Sequence, residues 1–224
     1  MKITKRQKTW ANLDRNKVYS VADAIDALRE YSSKKFDESL EVAVRLGIDI
    51  TKADQNIRGM LSLPNGTGKT VRVAVFTVNS ADEAKKAGAD VVGGEDLIDR
   101  VAGGEINFDR VIATPDMMPK MSKIARVLGP KGLMPNPKLG TVTNNVADAV
   151  ATAKAGQIEY RAEKNGIIHA AVGKMSFPTE KLVENVNALI DQLKKVKPAS
   201  AKGQYILAVA VATTQGPGLK VDAK

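Results

Sequence analysis

Between residues 40 and 48 the chain alternates with a period of two: Leu40, Val42, Val44, Leu46 and Ile48 are separated by Glu41, Ala43, Arg45 and Gly47. That pattern predicts a strand buried on one face. Upstream, Ser20 precedes Val21-Ala22-Asp23-Ala24-Ile25-Asp26-Ala27-Leu28, an N-cap with an acid in the first turn, so a helix should start at Val21. A weaker strand is expected over 58–63, ended by Pro64-Asn65-Gly66-Thr67-Gly68. The character then changes. Val71-Arg72-Val73-Ala74-Val75-Phe76-Thr77-Val78 is almost continuously apolar, as a parallel strand covered on both faces requires. Helices over 80–87, 96–102, 118–127 and 146–155 alternate with strands over 90–92 and 110–113, which reads as an open α/β sheet.

After Gly156 the period of two returns. Residues 157–163 and 167–175 read as a hairpin turning at Asn165-Gly166. Over 178–196, Leu182, Val186, Leu189, Leu193 and Val196 fall on one helical stripe, and 205–212 reads as a final buried strand. Two strand-and-helix blocks therefore bracket an α/β block. The expected class is α/β and α+β: an α+β domain from residues 1–67 and 157–224, with an α/β domain, 68–156, inserted into it.

Composition narrows the chemistry. A chain of 224 residues with 43% hydrophobic and 26% charged content can build a real core. No apolar run approaches the roughly 18 residues of a membrane span, and the basic first 17 residues lack the apolar stretch of a secretory signal. With no cysteine, disulfides, thiolate catalysis and cysteine zinc sites are excluded, and His169 alone cannot make a multi-histidine metal site. The expectation is a cytoplasmic protein. Of the net charge of +9, residues 1–67 carry +3, residues 160–224 carry +5, and the middle is nearly neutral. If the ends meet in space they form one basic module, as a polyanion-binding domain would, although basic charge also serves solubility.

Enzyme motifs fail on inspection. Gly66-Thr67-Gly68-Lys69-Thr70 has Leu63 where a P-loop needs its first glycine, and a strand follows it where a helix should. A dinucleotide fold needs a glycine-rich turn after its first α/β strand, but Val78 leads into Asn79-Ser80-Ala81-Asp82. Binding features survive better. Leu128-Gly129-Pro130-Lys131-Gly132-Leu133-Met134-Pro135-Asn136-Pro137-Lys138 is too rich in proline and glycine for a helix or inner strand. It reads as a shaped basic loop anchored by Leu128, Leu133 and Met134, with no nucleophile or general base. Around it, residues 116–140 carry Lys120, Lys123, Arg126, Lys131 and Lys138 against Asp116 alone, which fits a second RNA surface or a solvated loop equally.

Two further clusters stand out. Lys34-Lys35-Phe36-Asp37-Glu38-Ser39 sets an aromatic beside lysines at the start of a strand, suited to base stacking and phosphate pairing, unless Phe36 simply begins the core face. Thr213-Thr214-Gln215-Gly216-Pro217-Gly218 follows the last expected strand, where hydroxyls, an amide and bare backbone can approach phosphates and 2′-hydroxyls.

These segments resemble the large-subunit ribosomal protein L-one family, the bacterial-type protein of the mobile ribosomal side stalk. The resemblance spans essentially the whole chain: residues 128–137 match the family's signature segment. Lys35-Phe36-Asp37-Glu38, Gly166-Ile167-Ile168-His169 with Gly173-Lys174, and Thr213-Thr214-Gln215-Gly216-Pro217 match further segments in order. It implies that the domain made of both ends is a split β-α-β-like unit binding large-subunit rRNA. The inserted domain would be a Rossmann-like three-layer α/β fold without a nucleotide. It also implies a structural, non-enzymatic ribosome constituent without cofactor, metal or membrane partner, monomeric when free. Its stalk would assist release of deacylated tRNA from the exit site, and the protein would repress translation of its own operon mRNA.

Carried over by position, Lys35, Phe36, Ser39, His169, Lys174 and Thr213, Thr214, Gln215, Gly216 and Pro217 should meet RNA, with secondary contacts at Lys5, Arg6, Lys8, Lys131 and Lys138. The family usually has methionine where this chain has Gln215, which puts that side chain's packing role in question. Strict alternation sets His169 and Lys174 on opposite faces of one strand, so either a bulge near Gly173 reorients one of them or only one touches RNA.

Overall fold

The computed structural model describes residues 4, 8–11, 13, 14, 16–33 and 35–222, apart from the side chain of Ala53. In chain order the elements begin with β1 (Val18–Tyr19), α1 (Val21–Tyr31), β2 (Ser39–Leu46), β3 (Arg58–Ser62), β4 (Val73–Phe76), α2 (Ala81–Lys86), β5 (Val91–Gly93), α3 (Glu95–Ala102) and β6 (Arg110–Ala113). They continue with α4 (Met118–Met121), α5 (Ala125–Leu128), α6 (Val146–Lys154), β7 (Gln157–Arg161), β8 (Ile167–Lys174), α7 (Thr179–Lys195), β9 (Ile206–Thr213) and β10 (Gly218–Val221). Contacts between residues divide the chain into two compact units, Met1–Gly68 with Ile158–Lys224, and Lys69–Gln157.

In the first unit the strand order is β1-β10-β9-β2-β8, antiparallel except for the parallel β1–β10 pair. The alternation in β2 does what its period demands: Leu40, Val42, Val44 and Leu46 are buried, and Glu41 and Arg45 are exposed. Helix α1 starts where Ser20 Oγ accepts from the Asp23 N–H at 3.1 Å. It delivers Ala24, Ile25 and Leu28 to one core with Leu182, Val186, Leu189 and Leu193 of α7. Each of the isoleucine, leucine and valine side chains among these stabilises the unit by about 1.5–3 kcal/mol on burial. Val196, expected on the same stripe, is 37% exposed because the helix has already ended at Lys195.

Two strand expectations need correction. The turn at Gly166 exists, with Gly166 at φ 70° and the Glu163 N–H donating to Ile167 O at 2.9 Å, but only an isolated bridge, Ala162 to Ile168, follows it. Strand β7 pairs with β3 and β8 pairs with β2, so the two strands part into different sheets. Nor is β9 the last strand: β10 returns antiparallel to it, making residues 213–217 a turn between strands.

The register between β2 and β8 shifts once. Leu40 stands opposite Gly173 and Glu41 opposite Ala171, so Val172 is an extra residue, a β-bulge. Val172 and Gly173 consequently both face inward. A Cβ on Gly173 would lie 2.6 Å from Leu182 Cδ2, so the backbone itself is packed beneath α7. A bulge takes a carbonyl out of the ladder, and fully buried Asn185 on α7 receives it: its Nδ2 donates to Val172 O at 2.7 Å. The same Nδ2 donates to Gly66 O at 3.0 Å, and Oδ1 accepts from the Asn65 N–H at 3.1 Å. One amide thus holds the bulge and the segment leaving β3.

The second unit has a parallel sheet in the order β5-β4-β6. Ala74 and Phe76 of β4 pack against α3, α4 and α5 through Leu97, Ile98, Met121 and Leu128, while Val73 and Val75 pack against Ala84, Val146 and Val150 of α2 and α6. Burial on both faces makes this unit three layers deep, as the unbroken apolar run requires. The helix expected over 118–127 is instead divided into α4 and α5 by a 3-10 turn at Ser122–Ile124. Pro119 has no N–H to give, and Ser122 Oγ donates at 2.6 Å to the Pro119 carbonyl that an α-helical ladder would use. The Gly/Pro loop is shaped as expected. Leu128 is buried, Leu133 and Met134 pack on the same cluster, and Thr141 Oγ1 accepts from the Asn136 N–H at 2.8 Å.

Replacing Asn185 by leucine would strand the buried Val172 carbonyl and two part-buried backbone groups, and should cost about 2–4 kcal/mol of stability, read as a lower urea midpoint in far-UV circular dichroism.

Candidate nucleic-acid interface

The bulge decides which way Lys174 points. Beyond Val172 and Gly173 the alternation of β8 resumes in the opposite phase, so Lys174 joins exposed His169 and Ala171 on the face turned away from the helices. There Lys174 Nζ donates to Asp37 O at 3.1 Å and to Ser39 Oγ at 3.0 Å. Asp37 reaches back, its carboxylate accepting from the Ser176 N–H at 3.1 Å and from Ser176 Oγ at 2.8 Å. Residues 37–39 are thereby stitched to the end of β8. Phe36, immediately before them, is 42% exposed, so it does not begin the core face. Lys35 beside it is exposed.

On its other side the same segment is stitched to the β9–β10 turn. The Ser39 N–H donates to Thr214 Oγ1 at 3.0 Å, and the Thr214 N–H donates to Ser39 O at 3.1 Å. The Gln215 N–H donates to Glu38 Oε2 at 3.3 Å, which leaves the exposed side chain of Gln215 directed away from the core. The turn closes when the Gly216 N–H donates to Thr213 O at 3.1 Å, and Pro217 is buried. Thr213 itself is only 4% exposed, and its hydroxyl is buried beneath Gly216. A Cβ on Gly216 would stand 2.1 Å from Thr213 Oγ1. Thr213 therefore supports the turn from below, and Thr214 and Gln215 form its outer surface.

Three strand ends thus converge: Phe36 to Ser39, Lys174, and Thr214 with Gln215. His169 shares their face, but it lies five residues before Lys174, roughly 15 Å along the strand at about 3.3 Å per residue. Its Nε2 stands 3.9 Å from Glu163 Oε2. The structure does not bring it into the cluster. Among the secondary candidates, Lys8, Lys131 and Lys138 are exposed, while Lys5 and Arg6 lie outside the described residues, as does Lys34 of the Phe36 segment.

In the second unit, Lys123 and Arg126 are exposed with Lys131 and Lys138, and Lys120 pairs with Glu95, whose carboxyl is held below its usual range by that ammonium. The turn after β4 closes on itself through Thr77 Oγ1 accepting from the Ser80 N–H at 3.1 Å. Among the described residues no group of three His, Cys, Asp or Glu side chains could hold a metal ion, and no helix is long and apolar enough to cross a membrane.

Sequence reasoning placed Asp37 in a matched segment without a role of its own, and missed Ser176 and Asn185. The Asp37–Ser176 pairing carried no signal, because its members are 139 residues apart. Asn185 did: it is a polar residue set beside Leu182 and Val186 on the apolar stripe of α7. What the cluster offers chemically is an exposed ring, an ammonium, hydroxyls and backbone on a pre-formed frame, which are the contacts that stack on bases and meet phosphates. A family model described as the Ribosomal protein L1p/L10e family matches residues 28–217, a span that includes every member of this cluster.

Gly216→Ala should destabilise the protein by about 1–3 kcal/mol through the clash with Thr213. Gly218→Ala, where an added Cβ meets nothing within 4 Å, should stay within about 0.5 kcal/mol of the parent; paired urea titrations of the two variants check this.

Proposed function

We propose, from the premise that this chain belongs to the ribosomal protein L1p/L10e family, that Lys35, Phe36, Ser39, Lys174, Thr214, Gln215 and Gly216 form the surface through which it grips RNA. Membership makes it a ribosomal protein of the large subunit that binds rRNA. The finer reading is that the unit formed from both chain ends binds the RNA of the side stalk. Thr213 and Pro217 would support that surface from within, and His169 would serve a more distant part of the RNA. The observation that carries this reading is the stitching of residues 37–39 between Lys174 and the 214–215 turn. Those hydrogen bonds fix the segment that follows Phe36 and the turn relative to one another before any RNA arrives, which lowers the entropic cost of binding.

On this reading the protein acts as a monomer outside the ribosome. Its stalk assists release of deacylated tRNA from the exit site, and the same surface represses translation by binding a similar structure in its own operon mRNA. The exposed cations Lys123, Arg126, Lys131 and Lys138 of the second unit favour a second, weaker RNA contact there, with tRNA as its partner. No step of this function is chemical, and no cofactor enters it.

The test is a titration against a stalk-type rRNA junction fragment and a scrambled control at several salt concentrations. Preference for the stalk fragment is expected, and Thr214→Ala should lose on the order of 1–3 kcal/mol of that affinity with the fold intact. Lys174→Ala should flatten the salt dependence by about one phosphate contact. Equal binding to both RNAs, falling steeply with salt, would reduce the interface to a basic polyelectrolyte surface.

A further inference from the structure

Glu38 is a carboxylate 1% exposed at the start of β2, a position where alternation alone would call for an apolar side chain or an outward polar one. It is held there by the groups it organises. Oε1 accepts from the Ser33 N–H at 2.7 Å, and Oε2 accepts from the Gln215 N–H at 3.3 Å. Its own carbonyl accepts from the Met175 N–H at 2.8 Å. One residue therefore touches all three segments that converge on the candidate interface: the loop that carries Phe36, the end of β8, and the β9–β10 turn. A carboxylate is the side chain suited to this place because it offers acceptors in two directions with no donor. Hydrogen bonds to an ionised acceptor are also the stronger kind.

We infer that Glu38 is a positioning residue for RNA recognition. Its carboxylate sets the height and tilt of the Gln215 turn and of the Phe36 loop from within, without itself meeting RNA. This rests on the RNA-binding reading above and adds to it the element that holds the two contact loops in register. The chemistry is specific. Glutamine in its place would turn an NH2 toward one of two N–H donors, so one loop would be pushed away although size and burial are kept. Aspartate would keep the charge but fall short by one methylene, too short to span both donors.

The experiment uses the full chain with Glu38→Gln. Stalk-fragment affinity should fall on the order of tenfold, the equivalent of about one charge-assisted hydrogen bond. The salt slope should stay that of the parent, because no phosphate contact is lost. A slope lowered along with affinity would mean that Glu38 acts through the basic side chains, and that would overturn the positioning role. So would affinity within twofold of the parent. The parent protein supplies a second reading that no folding defect can obscure: amide exchange at Ser33 and Gln215. Protection of both amides in the free protein supports positioning in advance, whereas protection that arises only with RNA bound overturns it. If the parent fails to prefer the stalk fragment over the scrambled control, the RNA-binding reading fails as well. If the parent prefers it and the variant does so equally, only the role of Glu38 falls.

Discussion

One hydrogen bond carries more of this molecule than its size suggests: the Asn185 amide to the carbonyl of Val172. Strand β8 has two duties that a regular strand cannot perform together. It must place Ile168, Ala170 and Val172 against the helices, and it must bring Lys174 to the opposite face. An inserted residue resolves the conflict, and an inserted residue leaves a backbone group in need of a partner. Asn185 supplies that partner from the middle of an apolar helix stripe. Gly173, with no room for a side chain beneath Leu182, lets the helix come close enough for the bond to form.

From that bulge the candidate interface follows step by step. Lys174, once outward, reaches both the Asp37 carbonyl and the Ser39 hydroxyl, and the segment they belong to is pinned on its far side by Thr214 and Gln215. The neutral bonds among these contribute about 0.5–1.5 kcal/mol each, and those made by the charged Lys174 and Glu38 about 1.5–3 kcal/mol. Their effect is geometric. They join three loops distant in sequence into one surface, and the polar groups left on the outside, with the ring of Phe36, are those that suit a nucleic acid. In the second unit the turn after the first strand is closed by the Ser80 N–H donating to Thr77 Oγ1.

Where burial has a simple period, the chain announces it. Strand β2, helix α7 and the twice-covered β4 were legible because every second, every third or fourth, or every residue is apolar. The Ser20 cap and the proline-glycine loop were legible because their geometry admits few residue types. What escaped depends on partners far away. The Asn165-Gly166 turn promised a hairpin, yet the ladder of β8 is made with β2, more than 120 residues earlier. Strand β10 is only four residues long and too short to show a pattern. Thr213 looked like a surface hydroxyl because it sits in a polar run, and only the fold of the turn puts it under Gly216. The bulge was anticipated as one of two alternatives, since His169 and Lys174 could share a face in no other way. Its anchor, Asn185, was not foreseen.

The order of the main sheet, β1-β10-β9-β2-β8, interleaves strands from the two ends of the chain, with Leu40 hydrogen-bonded beside Thr213 and Val18 beside Lys220. Pairings of such long separation form late, because the whole intervening chain must be closed into a loop first. During synthesis the early strand β2 waits with an unpaired edge while the α/β unit, contiguous in sequence, can fold behind it. The frame that joins Ser39 and buried Glu38 to Thr214 and Gln215 does not exist until β9 and its turn have emerged. A chain that has emerged only as far as β8 therefore lacks this arrangement of loops, which is completed when β9 and its turn join the sheet.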